Sequence, residues 1–235
     1  ILLSHVGYAD DLKMAEKYSW IDLIIGGHSH TQLAADEPLH NGVLITQNAN
    51  RLPMVTHIVL GVDSGRVVDK RAEYINVPAF ATKNKVAEQM VHSISANPEF
   101  QRVLARAEAP FTCIDELGSM VCDAFIDGTG ADISIENRRG IRVETHPAGD
   151  LTVLDVLQID PFGNSAVELH ITGEELLQLV ASYSRMSITH FPHLGGIRAE
   201  LTLSLQDSAT ITQIKLLTQK GRRLDLKKTY KVVTN

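Results

Sequence analysis

Ile21-Asp22-Leu23-Ile24-Ile25-Gly26-Gly27-His28-Ser29-His30 is the stretch from which the fold of this chain can be read. A short apolar run closed by two glycines suits a strand buried on both faces. The two histidines then stand in a loop at the carboxyl end of that strand, where open α/β sheets place their ligand sites. Upstream, Ile1-Leu2-Leu3 is a second apolar run, and Asp10 to Lys17 between the two is built of helix formers with an acidic first turn. The order reads strand, helix, strand. Such a crossover lays parallel strands side by side, so His5, just after the first run, should meet the His28/His30 loop. Neutral imidazole is the commonest side-chain metal ligand, and three of them converging point to metal. An H-x-H pair alone would suit a hydrogen-bonded or solvated loop equally well.

Outward from this unit the pattern changes. From Gly42 to Tyr74 short strands with turns predict an antiparallel sheet edge, with Asp63-Ser64-Gly65 turning the run Val55 to Val62. Between about Ala81 and Ala107, Val86, Met90, Val91, Ile94, Phe100, Val103 and Leu104 recur near helical spacing, predicting a linker helix broken at Pro98. A further domain begins near Phe111. A helix over Leu117 to Ile126 and strands at Ile133–Ile135 and Leu154–Gln158 are expected. Thr172 with Glu175 forms a capping box that opens another helix, whose buried face is Leu176, Leu177, Val180 and Tyr183.

Composition narrows the function classes. At 235 residues and 44% apolar content the chain can bury one large or two small cores. A formal charge of −6 gives no basic footprint for a nucleic-acid polymer. No apolar run approaches the roughly 20 residues that cross a bilayer. Cys113 and Cys122 are too few for a disulfide scaffold and read as small buried apolar residues.

Leu3-Ser4-His5-Val6-Gly7 and Asp22 to Thr31 resemble the last two metal motifs of calcineurin-like metallophosphoesterases in their 5'-nucleotidase branch. The later segments resemble that family's C-terminal domain in the same order: Gly130-Ala131-Asp132-Ile133, Asn137 to Arg142, Gly149-Asp150-Leu151, Asp160 to Asn164, Leu169 to Glu175 and Tyr230 to Asn235. The resemblance implies an α/β protein comprising the C-terminal part of a four-layer metallophosphoesterase sandwich (1–80), a linker helix (81–107) and an incomplete mixed α/β substrate-recognition domain (108–235). It implies two divalent ions (Zn, Mn, Co or Ni), with His5 and His28 on one and His30 on the other, and hydrolysis of nucleotide or nucleotide-sugar phosphate esters at a cleft between the domains. Asn137 matches a base- or ribose-contacting residue, Arg142 the anion-binding arginine, and Phe162 an aromatic on which the base stacks. Family habit implies a periplasmic or extracellular setting.

The pattern departs from the family in four places. The carboxylate metal ligands and the catalytic histidine are expected upstream of Ile1, and a second stacking aromatic beyond Asn235, so no catalytic residue is expected within the chain. Arg138 and Arg139 stand where many members have glycine, adding charge beside the pocket. Phe111-Thr112-Cys113 lacks an arginine that many relatives carry. Two alternatives keep the fold: a binding or adhesion protein without a working metal site, and a hydrolase of the same superfamily acting on a non-nucleotide substrate.

Overall fold

The strand, helix and strand expected around the histidine loop are what the chain forms. The computed structural model describes residues 1–77 and 82–235, in two units that part between Gln89 and Met90. In the first, β1 (Leu2–Leu3), α1 (Tyr8–Lys17), β2 (Leu23–Ile25) and β3 (Leu44–Thr46) give a three-stranded sheet in the order β1-β2-β3. Both pairings are parallel, with Leu2 opposite Ile24 and Ile24 opposite Ile45. Ala15, Ile21, Ile24, Leu33, Val43 and Ile45 make the core. The expected antiparallel edge therefore starts later than Gly42. Val43-Leu44-Ile45 is a continuous rather than alternating apolar run, buried throughout, as a parallel strand requires. The antiparallel part is the hairpin of β4 (Met54–Asp63) and β5 (Arg66–Asn76). Its two-residue turn, Ser64-Gly65, has φ of 48° and 78°, the left-handed pair that matches the twist of hairpin strands.

Helix α2 (Lys85–Ser95) has no buried residue. Ala81, where the linker helix was expected to begin, and residue 80 before it lie outside the described residues. The helical spacing does not continue to Ala107: Val103 and Leu104 belong to strand β6 (Val103–Ala107). Pro98 explains the break, because it lacks an amide proton and disfavours helical backbone at Asn97 before it.

The second unit is built around α3 (Ile114–Thr129) and β7 (Ile133–Glu136), followed by β8 (Gly149–Thr152), α4 (Val153–Ile159), β9 (Val167–Thr172) and α5 (Gly173–Ser184). Then come β10 (His193–Gly195), the hairpin of β11 (Ile197–Leu203) with β12 (Ile211–Thr218), and β13 (Thr229–Thr234). The main sheet has the order β10-β7-β13-β9, with β13 parallel to β7 and antiparallel to β9, while β6 pairs with β8. Ile133, Ile135, Leu176, Val180 and Val232 centre one core; Leu117, Ile141, Leu151 and Ile159 centre another.

Both α4 and α5 open on reciprocal capping boxes, Thr152 with Asp155 and Thr172 with Glu175. The second is as expected from the sequence. The first corrects the strand expected at Leu154–Gln158: the side chains of Thr152 and Asp155 satisfy free N–H groups at a helix start, which outweighs the apolar run's resemblance to a strand. Cys122 is buried as expected, but Cys113 is exposed, standing just before α3 at its N-cap.

Candidate functional site

Parallel pairing brings the ends of β1 and β2 together, and backbone hydrogen bonds extend the register past the strands. Ser4 N–H donates to the Ile25 carbonyl at 2.9 Å and Gly26 N–H to that of Thr46 at 2.8 Å. His5 and His28 thereby meet edge to face, their ring centroids 5.3 Å apart. The two glycines before His28 permit this approach. A Cβ on Gly27 would lie 2.9 Å from His5 Nδ1, and one on Gly26 2.4 Å from Asp11 Oδ2.

His28 and His30 both adopt left-handed backbone, with φ of 73° and 54°, a conformation that costs a non-glycine residue about 1–2 kcal/mol. The surroundings hold it in place. Ser29 Oγ donates to Gln47 Oε1 at 2.7 Å and accepts the Tyr8 N–H at 3.0 Å, and Thr31 N–H also donates to Gln47 Oε1. Behind the loop, Asp11 is fully buried: one oxygen accepts from Ser4 Oγ, and Oδ2 has no hydrogen-bond partner among the described residues. The sequence marks Asp11 only as part of an acidic first turn; its place one helical turn from Gly7, facing the strand ends, is the signal that could have singled it out.

The paired imidazoles fit two donors to one divalent ion. His30 follows in the same loop, and no group of three His, Cys, Asp or Glu able to hold an ion occurs among the described residues.

In the second unit, Asn137 and Arg142 stand on the loop after β7, and Phe162 on the loop after α4. The loops are tied together: Arg142 N–H donates to the Ile159 carbonyl at 2.8 Å, and the Arg142 guanidinium lies 5.6 Å from the centre of the Phe162 ring. Phe162 is 53% exposed, so about half of its surface is open to solvent. Asn137 is half-buried, and its Nδ2 donates to Glu136 Oε1 at 3.3 Å. Burial, and then the charge of Asp160, push the Glu136 carboxyl up to about 7.

The first of the two extra arginines is engaged away from the pocket. Arg138 is spent on a two-pronged contact with Asp115, at 2.5 and 3.2 Å, which holds that carboxyl below its usual range. Burial, helped by Arg138, lowers the pKa of His193 beside them. Arg139 Nη2 approaches His190 Nε2 at 3.4 Å. Charge added at position 138 is thus neutralised on α3.

Comparison with known proteins identifies the family and the fold. The family profile described as 5'-nucleotidase, C-terminal domain matches residues 95–235. The chain is similar to the trifunctional nucleotide phosphoesterase protein YfkN of Bacillus subtilis, 26% identical over 259 residues, covering 100% of this chain and 18% of that protein. It is also 26% identical to the metallophosphoesterase YunD of the same organism, covering 99% of this chain and 54% of that protein. Among solved structures, the 5'-nucleotidase precursor of Thermus thermophilus matches with TM-score 0.69 and 26% identity over 98% of this chain and 52% of that one. The chain thus spans about half or less of the length of these relatives. Its fold is mixed α/β, and the chain belongs to the 5'-nucleotidase family of hydrolases, with that family's C-terminal domain in residues 95–235.

Proposed function

We propose that the intact protein hydrolyses phosphate esters of nucleotides, and that Asn137, Arg142 and Phe162 recognise the nucleotide. The observation that carries this reading is the Arg142 guanidinium set against the half-open Phe162 ring at 5.6 Å. Such a pair offers a base one aromatic face and an oxyanion one planar fork. Asn137 adds an amide for a base edge or a ribose hydroxyl. Substrate recognition is assigned to residues 108–235 and the connecting segment to residues 81–107. Nucleotide sugars and 2',3'-cyclic nucleotides present the same two features and belong to the substrate class.

His5 and His28 would hold one divalent ion, and His30 would serve a second; Zn, Mn, Co and Ni all suit imidazole. When bound, such ions supply Lewis acidity toward phosphoryl oxygens. The chain's own part is to present the imidazoles in fixed orientation, through the Ser29–Gln47 and Tyr8–Ser29 hydrogen bonds. Family habit carries the further proposal of a periplasmic or extracellular setting, checked by assaying those fractions.

The test is product release by the full-length protein with manganese or zinc: phosphate from nucleoside monophosphates, UMP and glucose 1-phosphate from UDP-glucose, and adenosine monophosphate from 2',3'-cyclic AMP. Hydrolysis is expected, and Phe162→Ala should raise KM about fivefold or more, since a stacked base is worth about 1–3 kcal/mol. No release from any of these compounds would overturn the reading.

A further inference from the structure

Glu136 ends β7, between the core and the nucleotide-recognising loop, and is 0% exposed. Its Oε2 has no hydrogen-bond partner among the described residues. The turn above it leaves room for a carboxyl only because residue 140 is glycine: a Cβ there would lie 2.2 Å from Glu136 Oε1. On the neighbouring strand, Thr234 pairs with Ile135 in parallel register. The next residues, Glu136 and Asn235, therefore share the opposite face of the sheet, by the period of two. Asn235 is also incompletely bonded. Its Nδ2 donates to Asp160 Oδ2 at 3.2 Å, while its buried Oδ1 has no partner among the described residues. Asp160 in turn caps α4 and accepts the Phe162 N–H.

A neutral carboxylic acid at Glu136 supplies the O–H donor that the Asn235 carbonyl lacks, whereas a carboxylate would set two acceptors together beside the Asp160 charge. We propose that protonated Glu136 is a positioning residue of the nucleotide site: with Asn235 and Asp160 it forms a buried acid–amide–acid bridge beneath the Asn137–Arg142 and Asp160–Phe162 loops, so that their order, and with it nucleotide affinity, falls as the medium turns alkaline. This rests on the nucleotide-recognising role assigned above.

The groups facing Glu136 are consistent with retention of the proton. Asp160, at the end of α4, acts electrostatically to push the Glu136 carboxyl up. From α3 comes Cys122, kept neutral by burial that pushes its thiol up to about 11. From β10 comes His193, opposite Glu136 in register, buried and held toward its neutral form. Asn137 and Asn235 are uncharged, the Arg138 guanidinium is engaged by Asp115, and that of Arg142 lies by the Phe162 ring.

The experiment uses the full-length protein and its Glu136→Gln variant, whose amide remains a donor at every pH. The Glu136 carboxyl is followed by carbon NMR, and the amides of residues 137–142 by hydrogen exchange, from pH 5 to 9. A carboxyl midpoint near 7 is expected, with loop amides exchanging up to about tenfold faster for each pH unit above it once intrinsic exchange is divided out. In Glu136→Gln the loop protection should not change with pH. A carboxyl ionised throughout, or equal pH dependence in both proteins, would overturn the proposal. Adenosine 5'-monophosphate is then titrated by calorimetry. Affinity that weakens above pH 7 in the native protein and stays level in Glu136→Gln supports the bridge, and parallel profiles refute it. Should the nucleotide bind neither protein at any pH, the recognition reading fails by itself, and loop exchange still decides whether Glu136 positions these segments.

Discussion

Gly118 lies inside α3, where replacing glycine by alanine ordinarily stabilises a helix by about 1 kcal/mol. Here the opposite sign is expected. A Cβ at 118 would stand 2.2, 2.3 and 2.4 Å from Cγ, Cδ2 and Nδ1 of His193. These atoms lie at the root of a buried ring, so a side-chain rotation does not clear them and β10 itself must shift. Overpacking a core costs about 1–3 kcal/mol, and collision with three ring atoms belongs at the upper end. Subtracting the helical gain leaves about 2 kcal/mol of destabilisation, a fall in Tm of about 4–8 °C for a chain of this size. Circular dichroism melts of Gly118→Ala, His193→Ala and the double variant measure it. Alanine at 193 removes the ring that blocks the new methyl, so the two substitutions should couple by about 1–2 kcal/mol. A Gly118→Ala protein that melts higher than the parent, or strict additivity in the cycle, would refute the packing argument.

Thr172→Ala removes the acceptor for the Glu175 N–H and should cost about 1 kcal/mol, a Tm fall of about 2–4 °C by the same melts. His28→Ala in the full-length protein should weaken zinc binding by at least about tenfold in a competition titration, taking the effect of outer-shell partners as a lower bound. The stability of the native protein should depend on pH through Glu136, whose carboxyl rises from 4.5 to about 7 on folding. The folded state then holds the proton more tightly, so this contribution is complete below 4.5 and is lost as pH rises through 7. Urea midpoints should fall across that window in the native protein and much less in Glu136→Gln.

Sequence made the first unit legible because its chemistry is local. The apolar run before Gly26-Gly27 and the helix formers after Gly7 each declare one element, and parallel pairing then forces His5 toward His28. It was less informative wherever a short apolar run was read without its neighbours. Leu154 to Gln158 reads as a strand, whereas Thr152 and Asp155 cap that run as a helix, and Val103-Leu104 keep helical spacing although Pro98 has already ended the helix. The site residues on the loops after β7 and α4 came from resemblance, since an exposed arginine and an aromatic near a proline carry no signal of their own. Arg138 shows what single-residue reasoning misses: its partner, Asp115, is 23 positions away. Glu136 was invisible for a similar reason, because only burial and the parallel strand beside it make a glutamate after three apolar-patterned residues unusual.

That parallel strand also has a consequence in time. β13 lies between β7 and β9 in the sheet, yet it is the last of that sheet's strands to leave the ribosome, with Lys231 and Asp132 separated by 99 positions. At about 5–20 residues per second, β7 waits roughly 5–20 s for its neighbour. During that interval the edges of β7 and β9 that β13 will cover carry unpaired N–H and carbonyl groups, open to any other extended chain. The central pairings of the unit's main sheet are thus its last to close, and slower elongation before Thr229 would lengthen the period in which a nascent chain can be captured or misassembled.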